Sequence, residues 1–257
     1  MNLHEQLIAF KAIVTKEVLR FARIWVQTVV PPVVTMSLYF VIFGNLIGSQ
    51  IGDMEGFRYM DYIVPGLIMM AVITNSYANV VSSFYGCKFH RHIEEMLVSP
   101  LPYYLIILGF MFGGIARGMA VGLAVTLVSM LFTTLPLHNL AVIVSTVVLT
   151  SALFSLAGLI NAVFAKSFDD ISIVPTFVLT PLTYLGGVFY SIGMLPEIWQ
   201  QVSRINPLLY MVNTFRYGFL GVSDISIGLS YAIIVGFIVL LYGYALYLLK
   251  TGYGIRK

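Results

Sequence analysis

The side chains whose types suit chemistry include four histidines, two pairs of adjacent carboxylates and a single cysteine. His90 and His92 are two residues apart, so on a helix they point to different faces and cannot share a metal ion. Glu94–Glu95 and Asp169–Asp170 lie in polar segments, where adjacent carboxylates more often cap helices or pair with basic residues than act as an acid/base pair. We therefore predict no catalytic site and no metal site in this chain.

The composition indicates a membrane protein. Of the 257 residues, 59% are hydrophobic and 10% are charged, whereas soluble domains carry about 25% charged residues. The chain contains five long runs without a charged residue, and a membrane-spanning helix needs about 20 apolar residues. These runs are residues 24–52, 62–87, 118–165, 171–196 and 225–249. They exclude soluble enzymes, nucleic-acid-binding proteins and disordered chains.

The sequence also lacks motifs for nucleotide binding and for ion coupling. No segment has the Gly-x-x-x-x-Gly-Lys-[Ser/Thr] pattern that binds nucleotide phosphates. Every Asp and Glu lies outside the predicted spans, whereas proton- and sodium-driven transporters usually carry carboxylates within the membrane. Such a protein is either passive or driven by another chain. A partner-independent channel and an ion-coupled secondary transporter remain the alternatives.

We predict an all-α polytopic membrane protein with six transmembrane helices and one domain, residues 1–257. The run 118–165 must contain two spans, because a single helix of that length would cross the bilayer about twice. Spans one and five contain prolines, which permit bending or expose carbonyl groups. The predicted spans lie near 25–47, 61–84, 104–132, 139–164, 171–191 and 227–249.

The distribution of Lys and Arg predicts that both termini are cytoplasmic, because cytoplasmic segments of membrane proteins are enriched in these residues. Three arginines fall in the outer loops, namely Arg58, Arg204 and Arg216. Ten basic residues fall on the cytoplasmic side: Lys11, Lys16, Arg20, Arg23, Lys88, Arg91, Lys166, Lys250, Arg256 and Lys257.

Residues 3–24 are predicted to form an amphipathic helix before the first span. Apolar residues such as Leu7, Phe10 and Val14 share one face, and basic residues share the opposite face. A helix of this kind lies along an anionic membrane surface. The alternative is a simple basic anchor, which needs no apolar stripe.

Two cytoplasmic segments have features of docking surfaces. In the segment 86–102, residues 88–98 can form about three helical turns with four apolar residues on one side, and Ser99–Pro100 ends the helix. In the second segment, residues 165–175, Asp169 or Asp170 can cap the helix that follows, and capping alone is the alternative to contact with a partner.

Several motifs in this setting resemble those of the ABC-2 type transporter permeases. One is the run 168–190, Phe-Asp-Asp-Ile-Ser-Ile-Val-Pro-Thr-Phe-Val-Leu-Thr-Pro-Leu-Thr-Tyr-Leu-Gly-Gly-Val-Phe-Tyr, which is followed by Leu195-Pro196 and Asn206-Pro207-Leu-Leu-Tyr210. Another is the run 93–102, Ile-Glu-Glu-Met-Leu-Val-Ser-Pro-Leu-Pro. The order and spacing of these motifs extend the resemblance over nearly the whole chain.

The resemblance implies the permease subunit of an ATP-driven exporter in the bacterial inner membrane. Two copies would join two copies of a separate ABC ATP-binding subunit, which would hold the ATP and Mg, so this chain would bind no cofactor and would not be an enzyme. The substrate would be amphipathic, lipid-like, glycolipid or drug-like, and would move outward. Residues 3–24 would be the interface helix, 86–102 the coupling helix segment, and 192–224 the outer re-entrant segment.

The candidate site residues form two groups. Residues expected to dock the ATPase are Lys16, Arg20, Lys88, Phe89, Arg91, Ile93, Glu94, Glu95, Leu97, Ser99, Pro100, Asp169 and Asp170. Residues expected to line the substrate pathway and the dimer interface are Thr35, Tyr39, Arg117, Thr180, Thr183, Tyr184 and Tyr190. Arg117 is costly at membrane depth unless it is paired or hydrated. It faces either an interior polar site or a carboxylate at the membrane interface.

Overall fold

The structure is a computed structural model that describes residues 2–254, without the side chains of Asn45 and Ser49. Arg256 and Lys257, which the charge count placed in the cytoplasm, lie outside the described residues. The α-helices are α1 (Leu3–Arg23), α2 (Trp25–Tyr39), α3 (Gly48–Ile51), α4 (Tyr59–Phe89), α5 (His92–Val98), α6 (Tyr103–Ser129), α7 (Leu140–Phe164), α8 (Asp170–Val174), α9 (Thr180–Tyr184), α10 (Glu197–Ile205), α11 (Pro207–Leu220) and α12 (Ile227–Thr251).

Short non-α elements connect some of these helices. A π-helical segment, Phe40–Ile47, continues α2, and a second, Pro175–Leu179, joins α8 to α9. Strands β1 (Asp53–Met54) and β2 (Phe57–Arg58) form an antiparallel hairpin before α4. A 3-10 turn at Ile192–Met194 precedes α10.

Among the described residues, five helices are long and apolar enough to cross a membrane. They are Trp25–Gly44, Tyr59–Phe89, Tyr103–Ser129, Leu140–Phe164 and Ile227–Thr251. The prediction of an all-α polytopic membrane fold is therefore confirmed. Each of these helices matches one of the six predicted spans.

The remaining predicted span, near 171–191, is shorter in the structure. Its helical part runs from Asp170 to Tyr184 through the π-helical segment, and 15 residues reach only about 22 Å. The helix ends at Tyr184, and the backbone then turns at Gly187, whose φ of +70° is favourable only for glycine. The fully buried Arg216 donates a 2.6 Å hydrogen bond to the Gly187 carbonyl and lies 3.9 Å from the Tyr62 ring centroid. The predicted end at residue 191 is therefore wrong, and Arg216 is an interior residue and not a loop charge.

Helix α4 is the centre of the bundle. It packs against α6, α7 and α11, and most of its residues are buried, whereas α2 and α12 expose most of their surface. The close packing around α6 depends on glycines. A Cβ atom on Gly114 or Gly118 would collide with serines of α4 or α7, and one on Gly122 would lie 2.8 Å from Val72 of α4. The glycine stripe of α6 therefore packs within one chain.

The helices α10 and α11 occupy the predicted outer re-entrant segment. Most of α11 is buried, and it packs against α4, α7 and α12. The backbone of the α6–α7 connection donates from His138 and Asn139 to carbonyls of α11. The apolar residues of α10, among them Ile198 and Trp199, are exposed. Thus α11 belongs to the bundle, and α10 presents an apolar face to its surroundings.

Candidate functional site

A row of polar residues runs along one face of α4. Asn75, Asn79, Ser83 and Cys87 are each four residues apart, so they lie one above another on the helix. Each of them contacts a charged side chain from α1 or α6, namely Lys16, Glu17, Arg20 or Arg117. We call these eight residues the charged ladder. It extends about 18 Å along α4, from the end that carries Phe89 to the middle of the helix.

The two arginines of the ladder bind neighbouring asparagines. The Arg117 Nη2 atom donates to Asn75 Oδ1 at 3.0 Å. The Arg20 Nη2 atom donates to Asn79 Oδ1 at 2.7 Å and to the Asn79 carbonyl at 2.8 Å. Since Asn75 and Asn79 are one helical turn apart, the two guanidinium groups are held side by side.

The other half of the ladder is centred on Glu17. The Ser83 hydroxyl donates to Glu17 Oε1 at 2.7 Å. Lys16 Nζ and Arg20 Nε lie 3.6 Å and 3.5 Å from the two carboxylate oxygens. Lys16 also donates to the sulfur of Cys87 at 3.2 Å. The carboxylate is therefore surrounded by two cations and a hydroxyl group.

Two carboxylates bear on the prediction that every Asp and Glu lies outside the spans. Asp61 lies within α4, one of the helices long enough to span the membrane, so the prediction is wrong for Asp61. Glu17 lies on α1, outside those helices, but its side chain is fully buried between α4 and α6. The glycine stripe of α6 permits this burial: a Cβ on Gly113 would lie only 2.5 Å from the Cβ of Glu17, so glycine lets α1 approach closely.

The helix α1 packs lengthwise on α6 and not at a single level. The Tyr104 hydroxyl donates to Gln6 Oε1 at 2.7 Å, and the rings of Phe10 and Phe112 lie 5.5 Å apart. The charged residues Glu17 and Arg20 face the bundle, whereas apolar residues such as Leu7 are exposed. The helix is present as predicted, but the structure places Arg20 in the ladder. Lys16 keeps part of its side chain exposed while its amino group binds Glu17 and Cys87.

The two predicted docking segments meet in the structure. The Phe168 ring contacts Tyr85 and Phe89, with centroids 4.8 Å and 5.2 Å away. Lys88 donates to the carbonyls of Val163 and Ala165 at 2.5 Å and 2.8 Å, so it caps the carboxyl end of α7. The two segments therefore form one continuous surface.

We call this region the docking surface and define it by its exposed residues. They are Phe89, Arg91, Glu94, Glu95, Val98, Ser99, Pro100, Lys166, Phe168 and Asp169. Phe89, Phe168 and Val98 are 58%, 53% and 88% exposed, so the surface combines apolar groups with both signs of charge.

Part of the predicted docking set lies elsewhere. Residues 88–98 do not form one helix, because Arg91 takes a left-handed conformation with a φ of +63° and separates α4 from α5. Ile93 is buried in the core, and Leu97 is half-buried. Ile93 therefore cannot contact a partner, and the prediction for it is wrong.

Asp170 closes the second segment. Its carboxylate accepts hydrogen bonds from the backbone N–H of Lys166 at 2.8 Å and of Ser167 at 3.2 Å, and from the Ser167 hydroxyl at 2.8 Å. The bond from the Lys166 backbone, followed by those from Ser167, lowers the pKa of this carboxyl group. These donors precede α8, so Asp170 closes the turn before the helix and does not cap it. Asp169, the N-cap residue, is exposed and its side chain makes no capping hydrogen bond.

The residues predicted to line the pathway fall into two places. Tyr39 and Tyr184 both pack against Phe189, with ring centroids 6.2 Å and 5.9 Å away, so the structure joins the first predicted span to the fifth. Several hydroxyl groups bond to their own segment. Thr180, Thr183 and Tyr190 donate to the carbonyls of Pro175, Leu179 and Tyr184. Thr35 is exposed.

Arg117 lies apart from this aromatic cluster, in the charged ladder. Among the described residues no carboxylate pairs with Arg117, so the structure favours the interior polar site over the salt bridge. Asn75, Asn79 and Ser83 were not among the predicted site residues. The signal was their spacing of four in a run without charged residues.

Comparison with known proteins gives a consistent picture. A family model described as "ABC-2 type transporter" matches residues 8–220. The chain is similar to the "Inner membrane transport permease YadH" of Escherichia coli (strain K12), with 59% identity over 255 residues, 99% of this chain and 100% of the relative. It is also similar to "Nodulation protein J" of Neorhizobium galegae, with 24% identity over 196 residues, 75% of each chain.

Proposed function

The chain belongs to the ABC-2 type transporter family, and from this membership we propose that it is the membrane subunit of an ATP-driven exporter. It is a multi-pass membrane protein and a transport permease subunit, not an enzyme in its own right. Permeases of this family generally pair with an ATP-binding subunit. We propose a homodimer joined to two ATP-binding subunits, which moves an amphipathic, lipid-like, glycolipid or drug-like substrate out of the cytoplasm.

The match of the family model over residues 8–220 carries this proposal. The YadH relative, which the chain matches over its full length, is itself named an inner membrane transport permease, and we extend that location to this chain. The orientation follows from the excess of basic residues on the side of the docking surface, with both termini cytoplasmic.

The docking surface supports a partner on that side. Exposed aromatic rings beside charged groups are typical of the centre and the rim of a protein–protein contact. Phe89 ends α4, the most buried helix, and Phe168 precedes α8. A force applied to Phe89 and Phe168 therefore acts both on α4, at the centre of the bundle, and on the segment Asp170–Tyr184. We propose this as the route by which closure of the ATP-binding subunits moves the permease.

The substrate route is proposed to lie at the dimer interface, along α2 and the segment Asp170–Tyr184. Both expose large apolar groups, including Leu38 and Phe177. Both also carry prolines, at Pro31, Pro32, Pro175 and Pro181, which loosen the helices where a pathway needs to open.

Co-purification tests the proposed assembly. The chain is expressed with the ABC ATP-binding subunit encoded nearest to it, and the complex is isolated through a tag on that subunit. We expect the wild-type chain to co-purify, and the double variant Phe89→Ala, Phe168→Ala to weaken the complex at least about tenfold, since central aromatic residues dominate such contacts. The control is Phe237→Ala, which removes an exposed ring on α12. Equal recovery of both variants would contradict the docking surface.

The ion-coupled alternative predicts a carboxylate that gains and loses a proton within the membrane. Glu17 is buried and contacts Lys16, Arg20 and Ser83, and Asp61, near the start of α4, is ion-paired with Arg58. Both carboxylates are fixed by partners within the described residues, so their surroundings do not favour the ion-coupled alternative.

A further inference from the structure

The charged ladder carries more positive than negative charge. It contains three basic residues, Lys16, Arg20 and Arg117, and one carboxylate, that of Glu17. Glu17 is paired with Lys16 and Arg20, so the charge of Arg117 is balanced by no carboxylate among residues 2–254. Part of the Arg117 side chain is exposed, but its Nε atom is buried without an acceptor. A guanidinium without a counter-charge is costly at such a position, and a bound anion would reduce that cost.

Two unused donors lie at this end of the ladder. The Nε atom of Arg117 and the Nδ2 atom of Asn79 are buried and have no acceptor in the described structure. The Asn79 assignment is fixed by chemistry, because a guanidinium only donates and Arg20 therefore requires the amide oxygen. The Nε atom of Arg20 and the Oε2 atom of Glu17, 3.5 Å apart, are also buried without a hydrogen bond, and they balance each other in charge. A ligand that complements the donors of Arg117 and Asn79 must offer acceptors, as an oxyanion does.

The position of these groups along the helices is informative. Arg117 is the fifteenth of the 27 residues of α6, and Asn75 is the seventeenth of the 31 residues of α4. Both therefore lie within one residue of the midpoint of their helices. The phosphates of resident lipids lie at the edge of the hydrocarbon layer, about 15 Å from its centre. An anion bound to Arg117 therefore lies inside the helix bundle and is not the phosphate of a lipid that surrounds the protein.

We propose that Arg20 and Arg117, held side by side on Asn79 and Asn75, form a binding site for a phosphate group carried by the amphipathic substrate. Two guanidinium forks match the oxygens of a phosphate, and phosphate accepts without donating when ionised. The identification of the phosphate carrier as cargo rests on the proposed export function. The anion site itself rests on the charges, the unpaired donors and the geometry of the ladder.

Binding to the purified full-length chain in a phosphate-free maltoside detergent tests the site. Three probes are compared: dihexanoyl phosphatidic acid, dihexanoylglycerol, which has the same tails without phosphate, and inorganic phosphate. We expect the phosphatidic acid to bind most tightly. Arg117→Gln should raise its Kd at least about tenfold, the effect of losing one charge-assisted hydrogen bond. Arg117→Lys, which keeps the charge without the fork, should give a smaller increase.

The control is Arg23→Gln, which removes the same charge from an exposed position of α1 and should leave the Kd unchanged. Thermal unfolding without ligand separates binding from folding. An arginine that serves an anion should be replaceable by Gln without loss of stability, whereas one that serves only the fold should not.

Each outcome decides the proposal. A Kd that is the same for wild type and Arg117→Gln overturns the site, as does equal binding of dihexanoylglycerol. If inorganic phosphate binds as tightly as phosphatidic acid and depends equally on Arg117, the anion site stands and its assignment to an amphiphile is overturned. Since no ATP-binding subunit is present, failure here leaves the co-purification test of the proposed function unaffected.

Discussion

The charged ladder and the docking surface contain similar residues in opposite environments. Both contain basic and acidic side chains in contact with α4, but the ladder buries Glu17 completely, whereas the docking surface leaves Glu94 and Glu95 exposed. A buried charge must be paired within the protein, and an exposed one is solvated by water. The contacts of the ladder therefore hold α1 to the bundle, whereas the residues of the docking surface remain exposed and accessible to a partner.

The largest expected difference concerns Glu17. Replacing Glu17 by Gln removes the counter-charge of Lys16 and Arg20, and breaking such a buried ion pair costs about 3–5 kcal/mol of stability. Glu94→Gln, on the docking surface, should change the stability by no more than about 0.5 kcal/mol. Thermal unfolding of the purified variants in detergent measures both. Similar melting temperatures for the two variants would remove the distinction between the regions.

A smaller effect is expected from the contact between α1 and α6. Gly113→Ala puts a Cβ 2.5 Å from the Cβ of Glu17, so α1 must shift and the ladder must loosen, at a cost of about 1–3 kcal/mol. The matched control is Gly236→Ala in α12, where a new Cβ has no neighbour within 4 Å. The same unfolding measurement applies. If Gly236→Ala is as destabilising as Gly113→Ala, then the close approach of α1 to α6 is not the reason why Gly113 stabilises the protein.

The smallest effect concerns Asp170, at the edge of the docking surface. Because the folded protein lowers the pKa of Asp170, this carboxylate stabilises the fold above its unfolded pKa of about 3.9, and the contribution is lost as the pH falls through the folded pKa. Asp170→Asn should therefore lower the melting temperature at pH 7, and the gap to wild type should close on acidification. Asp169→Asn, at an exposed position, is the control. A gap that widens in acid would show that the sign is wrong.

The sequence predicted the parts of the fold that depend on local composition. Five helices follow from apolar runs, since a run of this length has few alternatives within a membrane. The end of the segment Asp170–Tyr184 was missed because it depends on a distant residue: Arg216 binds the Gly187 carbonyl and fixes the turn there. Nothing near residue 187 in the sequence indicates this contact.

The docking surface was largely predictable and the ladder was not. Phe89 was among the predicted residues, because it lies at a short polar segment between spans. Phe168, Val98 and Lys166 were not among them, although they lie in the same two segments. The ladder required the knowledge of which face of α1 turns towards the bundle. That face is mixed, because it carries Glu17 together with the apolar Ile13 and Phe21. In a membrane, other apolar residues of such a helix can face lipid while polar ones face the protein. The pairs Glu17–Ser83 and Arg20–Asn79 are 66 and 59 residues apart, so they follow from the tertiary structure.

The proposed function requires that this chain transports its substrate only when a separate ATP-binding subunit drives it. The most direct measurement is ATP hydrolysis in proteoliposomes, with the chain alone, with the ATP-binding subunit, and with that subunit and the Phe89→Ala, Phe168→Ala variant. We predict no hydrolysis by the chain alone, hydrolysis by the complex, and a strong reduction with the variant. Full hydrolysis by the chain alone, or an electrical or proton flux without any partner, would contradict the account.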